Sequence, residues 1–436
     1  MDLAGALAYL ADHVNLETDP SPAAAERRLD RIRALVELAG DPQSSYPVLH
    51  ITGTNGKGST ARMLTALLVE QGLSVGTYTS PHLQRVNERL AWNGAPIADD
   101  QLVEVVQAVA ALETLLDGRP THFELLTAIA LRWFADIAVD VAVIEVGLGG
   151  RWDATNIVEA DVAVVTNVSL DHIETIGPDL SDIATEKAGI VKAGTTLVLG
   201  ETDPALTPIF HGIAGSKAVW ERDVDFGCSE NELAHGGRLL DLWTPGARYQ
   251  EILMPVHGEF QGDNAATALA AAEAFFEAPL DAAVVADAFA GVRLPGRLEV
   301  VARSPLCVLD GAHNPAGARA ASAALSETFA GIAGRILVVG LLSGREPTEM
   351  LEALGAGNCR LVVTCPPPSP RAQPPEVVAA AAADMGVDTE IADSVPEAVA
   401  LALSLATPEE MVLVTGSLYV VGAARAALVG DGLPAV

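Results

Sequence analysis

The stretch Gly53-Thr54-Asn55-Gly56-Lys57-Gly58-Ser59-Thr60 has the make-up of a phosphate cradle. It follows an apolar run at 48–52 and precedes a helix expected over 60–70. Glycines let backbone N–H groups turn inward around phosphate oxygens. A helix N-terminus adds partial positive charge, and Lys57 supplies a full charge to the β- and γ-phosphates. The usual pattern is G-x-x-x-x-G-K-[ST]. This chain departs from it twice: Ile51 stands at the first glycine position, and Gly58 stands where a hydroxyl should follow the lysine. The hydroxyls come at Ser59 and Thr60, so a hydroxyl for magnesium would come from elsewhere in the chain. The bland alternative is a glycine-rich turn with an incidental lysine.

Glu145 ends a second apolar run, 141–146. An acid at the carboxyl end of a parallel strand lies where ligands of α/β proteins bind. A buried carboxylate also calls for a cation partner. Other residues are ambiguous by type alone. Lys187 is one of four lysines, with Lys57, Lys192 and Lys217, and reads as an exposed helical lysine paired with Glu186 or Asp182. Ser80 reads as a cap before Pro81, and His172 as a satisfied residue after a strand. Arg297 fits an interdomain ion pair, Asp310 a turn cap, and Phe123 a core residue at a helix start.

The elements that must position these residues are legible as alternating runs. Strands are expected at 48–52, 141–146, 162–166 and 196–199, with helices between them. Continuous apolar runs of this length indicate parallel strands covered on both faces, hence α/β architecture. Residues 201–257 break the rhythm, with polar turns around Trp220 and Trp243, and read as an irregular or antiparallel extension. A helix is expected over 263–278, with Gly262 or Asp263 near its cap. Leu294-Pro295-Gly296-Arg297 is strong punctuation. Beyond it the alternation restarts, with strands expected at 306–310, 336–339, 361–364 and 411–415. The proline-rich piece at 366–370 reads as a loop. The expected division is a phosphate-binding domain over 1–296 and a smaller Rossmann-like α/β domain over 297–436.

The 436 residues suit two or three domains, and half are hydrophobic, enough for ordinary cores. A net charge of −31 repels nucleic-acid phosphates and anionic lipid headgroups, so neither nucleic acid nor membrane is an expected partner. An anionic small-molecule substrate would need a local positive pocket. Cys228, Cys307, Cys359 and Cys365 form no Cys-x-x-Cys pair, which argues for reduced thiols. No uncharged apolar run reaches the ~18 residues that span a bilayer. The expectation is a cytoplasmic monomer without a signal peptide.

Further motifs follow the phosphate loop in a set order. They are Tyr78-Thr79-Ser80-Pro81-His82, Glu145-Val146-Gly147-Leu148-Gly149-Gly150-Arg151, Asp153-Ala154-Thr155-Asn156, Leu170-Asp171-His172 and Glu186-Lys187-Ala188-Gly189. Then come Gly258, Gln261 and Asn264, Leu294-Pro295-Gly296-Arg297, Asp310-Gly311-Ala312-His313-Asn314-Pro315 and Gly416-Ser417-Leu418-Tyr419. Together they resemble the Mur ligase superfamily, and within it folylpolyglutamate synthase and dihydrofolate synthase. The resemblance implies a P-loop Mur-ligase-type central domain followed by a Rossmann-like ligase domain. It implies ATP gripped by Thr54, Asn55, Gly56, Lys57, Gly58, Ser59, Asn264, Arg297 and Asp310. It makes Ser80 and Glu145 ligands of one Mg²⁺, and His172 with a carbamylated Lys187 ligands of a second. Lys57, Lys187 and His313 become catalytic residues. Thr121, Phe123, Glu124, Arg151 and Asp153 fall near the acceptor substrate.

The implied reaction adds L-glutamate to a folate-type carboxylate at the expense of ATP, through an acyl phosphate. The acceptor would be tetrahydrofolate, dihydropteroate or both. One rival is another Mur-type amide ligase acting on a cell-wall precursor or a different acid. A second is a GTPase-like switch, but Thr166-Asn167-Val168-Ser169-Leu170-Asp171 lacks the lysine of the guanine-reading pattern. The chain also departs from the family. Where an Asp-Lys-Asp triplet often follows the 336–339 strand, this chain has Gly340-Leu341-Leu342-Ser343-Gly344-Arg345-Glu346, with Arg345 the candidate to replace the lysine. The segment 14–22 matches too loosely to assign residues.

Overall fold

The computed structural model describes residues 1–18, 29–213 and 215–430. The loosely matching N-terminal segment therefore lies partly outside the described residues, from position 19 onward. The main sheet has eight strands. They are β1 (Val48–Thr52), β2 (Val75–Tyr78), β3 (Leu90–Trp92), β4 (Ala95–Pro96), β5 (Val141–Glu145), β6 (Val162–Val165), β7 (Thr196–Leu199) and β8 (Ala218–Glu221). Their spatial order is β4-β3-β2-β5-β1-β6-β7-β8. The six strands from β2 to β8 in that order are parallel, and β3 and β4 close one edge antiparallel. Every residue of β1 and β5 is buried, which explains their unbroken apolar character.

The helix after the phosphate loop spans Lys57–Glu70, three residues earlier than expected. Gly56 takes φ 82° as its cap, so Lys57, Gly58 and Ser59 are already helical despite their loop-like composition. The later helix spans Phe260–Phe276 rather than 263–278. Asp263 therefore sits inside its first turn, and Glu277 ends it at φ 54°. This helix packs against the Lys57–Glu70 helix. Its run of fully buried alanines, 265, 266, 268 and 270–272, admits that close approach.

The 201–257 segment resolves into two parts. Strand β8 extends the main sheet, while β9 (Gly227–Ala234), β10 (Gly237–Trp243) and β11 (Arg248–Met254) make a separate antiparallel sheet. A six-stranded sheet follows. Its strands are β12 (Glu299–Arg303), β13 (Leu306–Leu309), β14 (Gly334–Val339), β15 (Leu361–Thr364), β16 (Thr389–Ile391) and β17 (Glu410–Thr415). Their order is β12-β13-β17-β14-β15-β16, with only β12 antiparallel.

The two large sheets belong to lobes that touch closely. A Cβ at Gly422 would fall 1.9 Å from the Leu83 carbonyl oxygen, so only glycine allows this contact. Arg425 donates to Glu299 at 3.1 Å within the second lobe and to Gln84 Oε1 at 2.5 Å across the gap. Arg238, fully buried in β10, reaches Glu327 of the second lobe at 2.9 Å.

Candidate active site

The phosphate loop leaves the carboxyl end of β1 and is held open by its neighbours. A Cβ at Gly53 would meet Thr166 Oγ1 at 1.8 Å, and one at Gly56, with φ +82°, would meet Asn264 Oδ1 at 2.5 Å. Asn264 thus lies directly over the loop. Thr166 Oγ1 and Asn167 Nδ2 donate to the Asn55 carbonyl at 2.6 and 3.0 Å, and the Asn55 N–H donates to Asn167 Oδ1 at 3.0 Å. Lys57 Nζ folds back and donates to the Gly53 and Thr54 carbonyls at 3.0 and 3.2 Å. The loop's only side-chain cation is therefore already aimed into its concavity.

Glu145 stands beside this loop at the end of β5. Adjacent β2 leads to Ser80, whose N–H donates to Glu145 Oε2 at 3.1 Å. A Cβ at Gly58 would lie 3.5 Å from the same oxygen. The absent side chain at 58 therefore leaves room between helix and carboxylate, and Ser80 lines the same crevice. Burial raises the Glu145 carboxyl above its ordinary range, against the pull of Lys57, the Ser80 N–H, Arg297 and Arg62. Arg62, Ser59, Ser80, Glu145 and Arg297 line one crevice together. Arg62 was not anticipated. Its signal was a basic residue one turn into the phosphate-loop helix of a chain poor in cations.

From the second lobe, Asp310 follows β13. Its two oxygens accept from the Leu298 and Ala312 N–H groups, each at 2.9 Å, so the turn-cap reading of Asp310 is realised. Burial raises its carboxyl too, and Arg297 opposes the shift. His313 donates from Nδ1 to the Gly311 carbonyl at 2.9 Å, which leaves Nε2 facing Asp171 at 3.7 Å.

Lys187 is buried near the end of the Leu180–Ala188 helix. Burial, with Lys57 adding repulsion, brings its ammonium down to about 7. Neither Glu186 nor Asp182 forms a salt bridge with it, and the exposed-lysine reading does not hold. His172 sits in a left-handed turn at φ 50°, with its ring partly exposed.

The five residues expected near the acceptor divide. Thr121 and Glu124 form a capping box, Glu124 N–H to Thr121 Oγ1 at 3.2 Å and Thr121 N–H to Glu124 Oε2 at 2.7 Å. Glu124 also pairs with Arg31 at 3.2 Å. Asp153 is buried and accepts from Leu148 N, Thr155 N and Thr155 Oγ1 at 2.9, 3.0 and 2.5 Å. Phe123 packs where a Cβ on Gly147 would sit, 2.5 Å from its Cζ. Arg151 is exposed on the following turn.

This arrangement has counterparts in known proteins. Residues 51–272 match the Mur ligase middle domain, and residues 296–418 match the Mur ligase glutamate ligase domain. The dihydrofolate synthase/folylpolyglutamate synthase of Mycobacterium tuberculosis is 39% identical, covering 91% of this chain and 89% of that protein. A solved structure of the Mycobacterium tuberculosis folylpolyglutamate synthase complexed with ADP and AMPPCP superposes with TM-score 0.91 at 37% identity, over 100% of both chains. The chain belongs to the folylpolyglutamate/dihydrofolate synthase family of Mur ligases. A solved FPGS–AMPPCP–folate complex is also similar, with TM-score 0.85 and 32% identity over 99% of this chain and 100% of that one. As a ligase of this family the chain places the phosphate loop, Ser80 and Glu145 in its middle domain. Arg297, Asp310 and His313 come from its glutamate ligase domain. No helix among the described residues is long and apolar enough to cross a membrane.

Proposed function

We propose that this protein joins L-glutamate to a folate-type carboxylate with ATP and Mg²⁺. The observation that carries the reading is the buried Glu145 carboxylate, next to Ser80 and the phosphate loop and facing Arg297 across the crevice. Relatives solved with ADP, AMPPCP and folate support it.

A carboxylate is a poor electrophile. In this reading the acceptor carboxylate attacks the γ-phosphorus, the bond to ADP breaks, and an acyl phosphate forms. The glutamate nitrogen then attacks the acyl carbon, phosphate leaves, and the nitrogen gives up a proton. Lys57 swings from the Gly53 and Thr54 carbonyls onto the phosphates. Asn264 and Arg297 hold the nucleotide from above the loop, and Asp310 fixes the hinge beside Arg297. His313, whose Nδ1 proton is engaged by Gly311, offers Nε2 to the departing proton.

The residues present fit a hard cation. Ser80 and Glu145 have oxygens to offer and line one crevice, and the space at Gly58 opens onto the Glu145 carboxylate. Among the described residues no three His, Cys, Asp or Glu side chains gather into a ready-made cage, so the shell would be completed by nucleotide oxygens. Mg²⁺ there, and a second at His172 and a carbamylated Lys187, would neutralise charge on the transferring phosphoryl group. We assign residues 1–296 and 297–436 to two domains that close about Gly296 and Arg297 and keep water from the acyl phosphate.

The test is ATP-dependent incorporation of labelled glutamate, with dihydropteroate and tetrahydrofolate run side by side. Incorporation into either supports the reading and names the acceptor. Failure with both, alongside turnover of a UDP-muramyl peptide, would replace it with a cell-wall ligase.

A further inference from the structure

The loop that departs from the family pattern, 340–346, has a definite place. It is tied to its own lobe: the Ser343 N–H donates to the Arg371 carbonyl at 2.7 Å, and the Gln373 N–H donates to the Leu341 carbonyl at 2.9 Å. A bridge joins Leu342 to Ala372. From this anchored loop Arg345 reaches into the first lobe and pairs with Asp171 at 2.8 Å. The pair is sheltered, with side chains 22% and 7% exposed, so solvent screens it weakly.

Asp171 is gripped on both oxygens from the second lobe. Arg345 takes Oδ1, and Asn314 Nδ2 donates to Oδ2 at 3.1 Å. The same Nδ2 donates to Asn55 Oδ1 of the phosphate loop at 3.0 Å. The orientation of Asn314 is not free. Its Oδ1 caps the Pro315–Thr328 helix by accepting from the Gly317 N–H at 2.8 Å, so its amide nitrogen must face Asp171 and Asn55. Asp171 is fixed on its side, accepting from the His172 N–H at 2.9 Å. One carboxylate therefore registers Arg345, Asn314 and neighbouring His313 against the loop that cradles phosphate.

We propose that Arg345 is a positioning residue for the ligation step. By holding Asp171 it seats His313 and Asn314 on the phosphate loop, so that acyl-phosphate formation happens only in the closed, water-excluding arrangement. This rests on the ligase reading above. Without Arg345 the phosphate loop, Ser80 and Glu145 keep their own contacts, but closure loosens and the acyl phosphate meets water.

The full-length protein is compared with Arg345→Ala, Arg345→Lys and Asn314→Asp. The readouts are kcat for ligation, KM for ATP, ADP released per amide formed, and the unfolding midpoint. Arg345→Ala should lower kcat about tenfold or more, the scale set by misplacing reacting groups. It should raise ADP per amide and leave the midpoint and the KM for ATP close to the parent's. Arg345→Lys should recover part of the loss. Asn314→Asp keeps the helix cap but sets a second carboxylate against Asp171, and it should show the same uncoupling. An Arg345→Ala protein with parental kcat and tight coupling would overturn the proposal. So would a kcat loss that tracks a falling midpoint and is not recovered by lysine. If the parent itself forms no amide, the ligase reading fails and this inference falls with it.

Discussion

Glu145 and Asp310 hold equivalent places in the two lobes. Glu145 ends the apolar strand β5 and Asp310 directly follows β13, and each is buried with its carboxyl raised by that burial. Their hydrogen bonds separate them. Asp310 has a backbone N–H on each oxygen, from Leu298 and from Ala312. Among the described residues Glu145 accepts one hydrogen bond, from the Ser80 N–H, and Lys57, Arg297 and Arg62 act on it through charge alone. A strand end thus gives a place, and the count of backbone donors decides the job. A saturated carboxylate holds chain segments together, while an open one waits for a ligand.

The largest effect should come from the open member. Glu145→Gln should cost about a hundredfold or more in ligation, as should Lys57→Ala, since both remove charge from the proposed phosphoryl-transfer site. Stability should move the other way. The raised carboxyl means that folded protein keeps its proton where the unfolded chain has lost it. Stability from this group is therefore full at low pH and is lost as pH rises from the ordinary carboxylate range through the raised native value. Denaturant unfolding of ligand-free protein at about pH 5 and about pH 8 should show Glu145→Gln at least as stable as the parent at the higher pH. An inactive variant that is also destabilised there would mean that Glu145 is structural.

Lys187 sharpens the contrast from the cationic side, with a smaller effect. Only a neutral amine adds CO₂: the N–C bond forms and a proton leaves. With its ammonium brought down to about 7, bicarbonate should stimulate turnover increasingly as pH rises through that value. Lys187→Arg keeps a cation but forms no carbamate, and it should lose about tenfold or more with no response to bicarbonate. The linkage has the sign opposite to that of Glu145. The folded state has shed a proton the unfolded chain still holds, so stability from this group rises from about pH 7 toward the usual lysine range. A bicarbonate response unchanged in Lys187→Arg would place the effect elsewhere.

What the sequence made legible follows the same physics. Strands β1, β5, β6 and β7 are wholly buried, so their runs are unbroken and easily read. Strand β8, half-buried at the sheet edge, lies in the stretch expected to be irregular or antiparallel but pairs parallel, and β12, half-buried at its own edge, was not anticipated. The start of the phosphate-loop helix was missed because the Gly56 conformation, not the composition of 57–59, sets it. Within the candidate site, Ser59, Ser80, Glu145 and Arg297, each carried by a local motif, line one crevice. The partners of Asp171 were not legible, because Asn314 lies 143 positions away and no local pattern records such a meeting.

Asp310 itself gives the next test. Asp310→Asn sets an amide N–H against either Leu298 or Ala312 and leaves one buried backbone donor unpaired. That should cost about 1–3 kcal/mol of stability. Equilibrium unfolding measures it, and a shift in the KM for ATP should follow because Arg297 sits in the same turn. Full stability with lost activity would put Asp310 in the open class with Glu145.

Thr121 should show the smallest effect. The family resemblance puts it beside the acceptor, yet its oxygen already accepts the Glu124 N–H, and Glu124 is engaged in turn by the Thr121 N–H and Arg31. Thr121→Ala should therefore cost about 1 kcal/mol, the usual loss of a helix cap. Thr121→Ser should cost little, because serine caps as well as threonine. The hydroxyl still has its own proton to donate, so the acceptor's KM is the discriminating quantity. A KM near the parent's, with a lowered unfolding midpoint, keeps Thr121 among the saturated groups. A sharply raised KM at unchanged stability would show that the same oxygen caps the helix and reads the substrate, so that counting donors misses a group used twice.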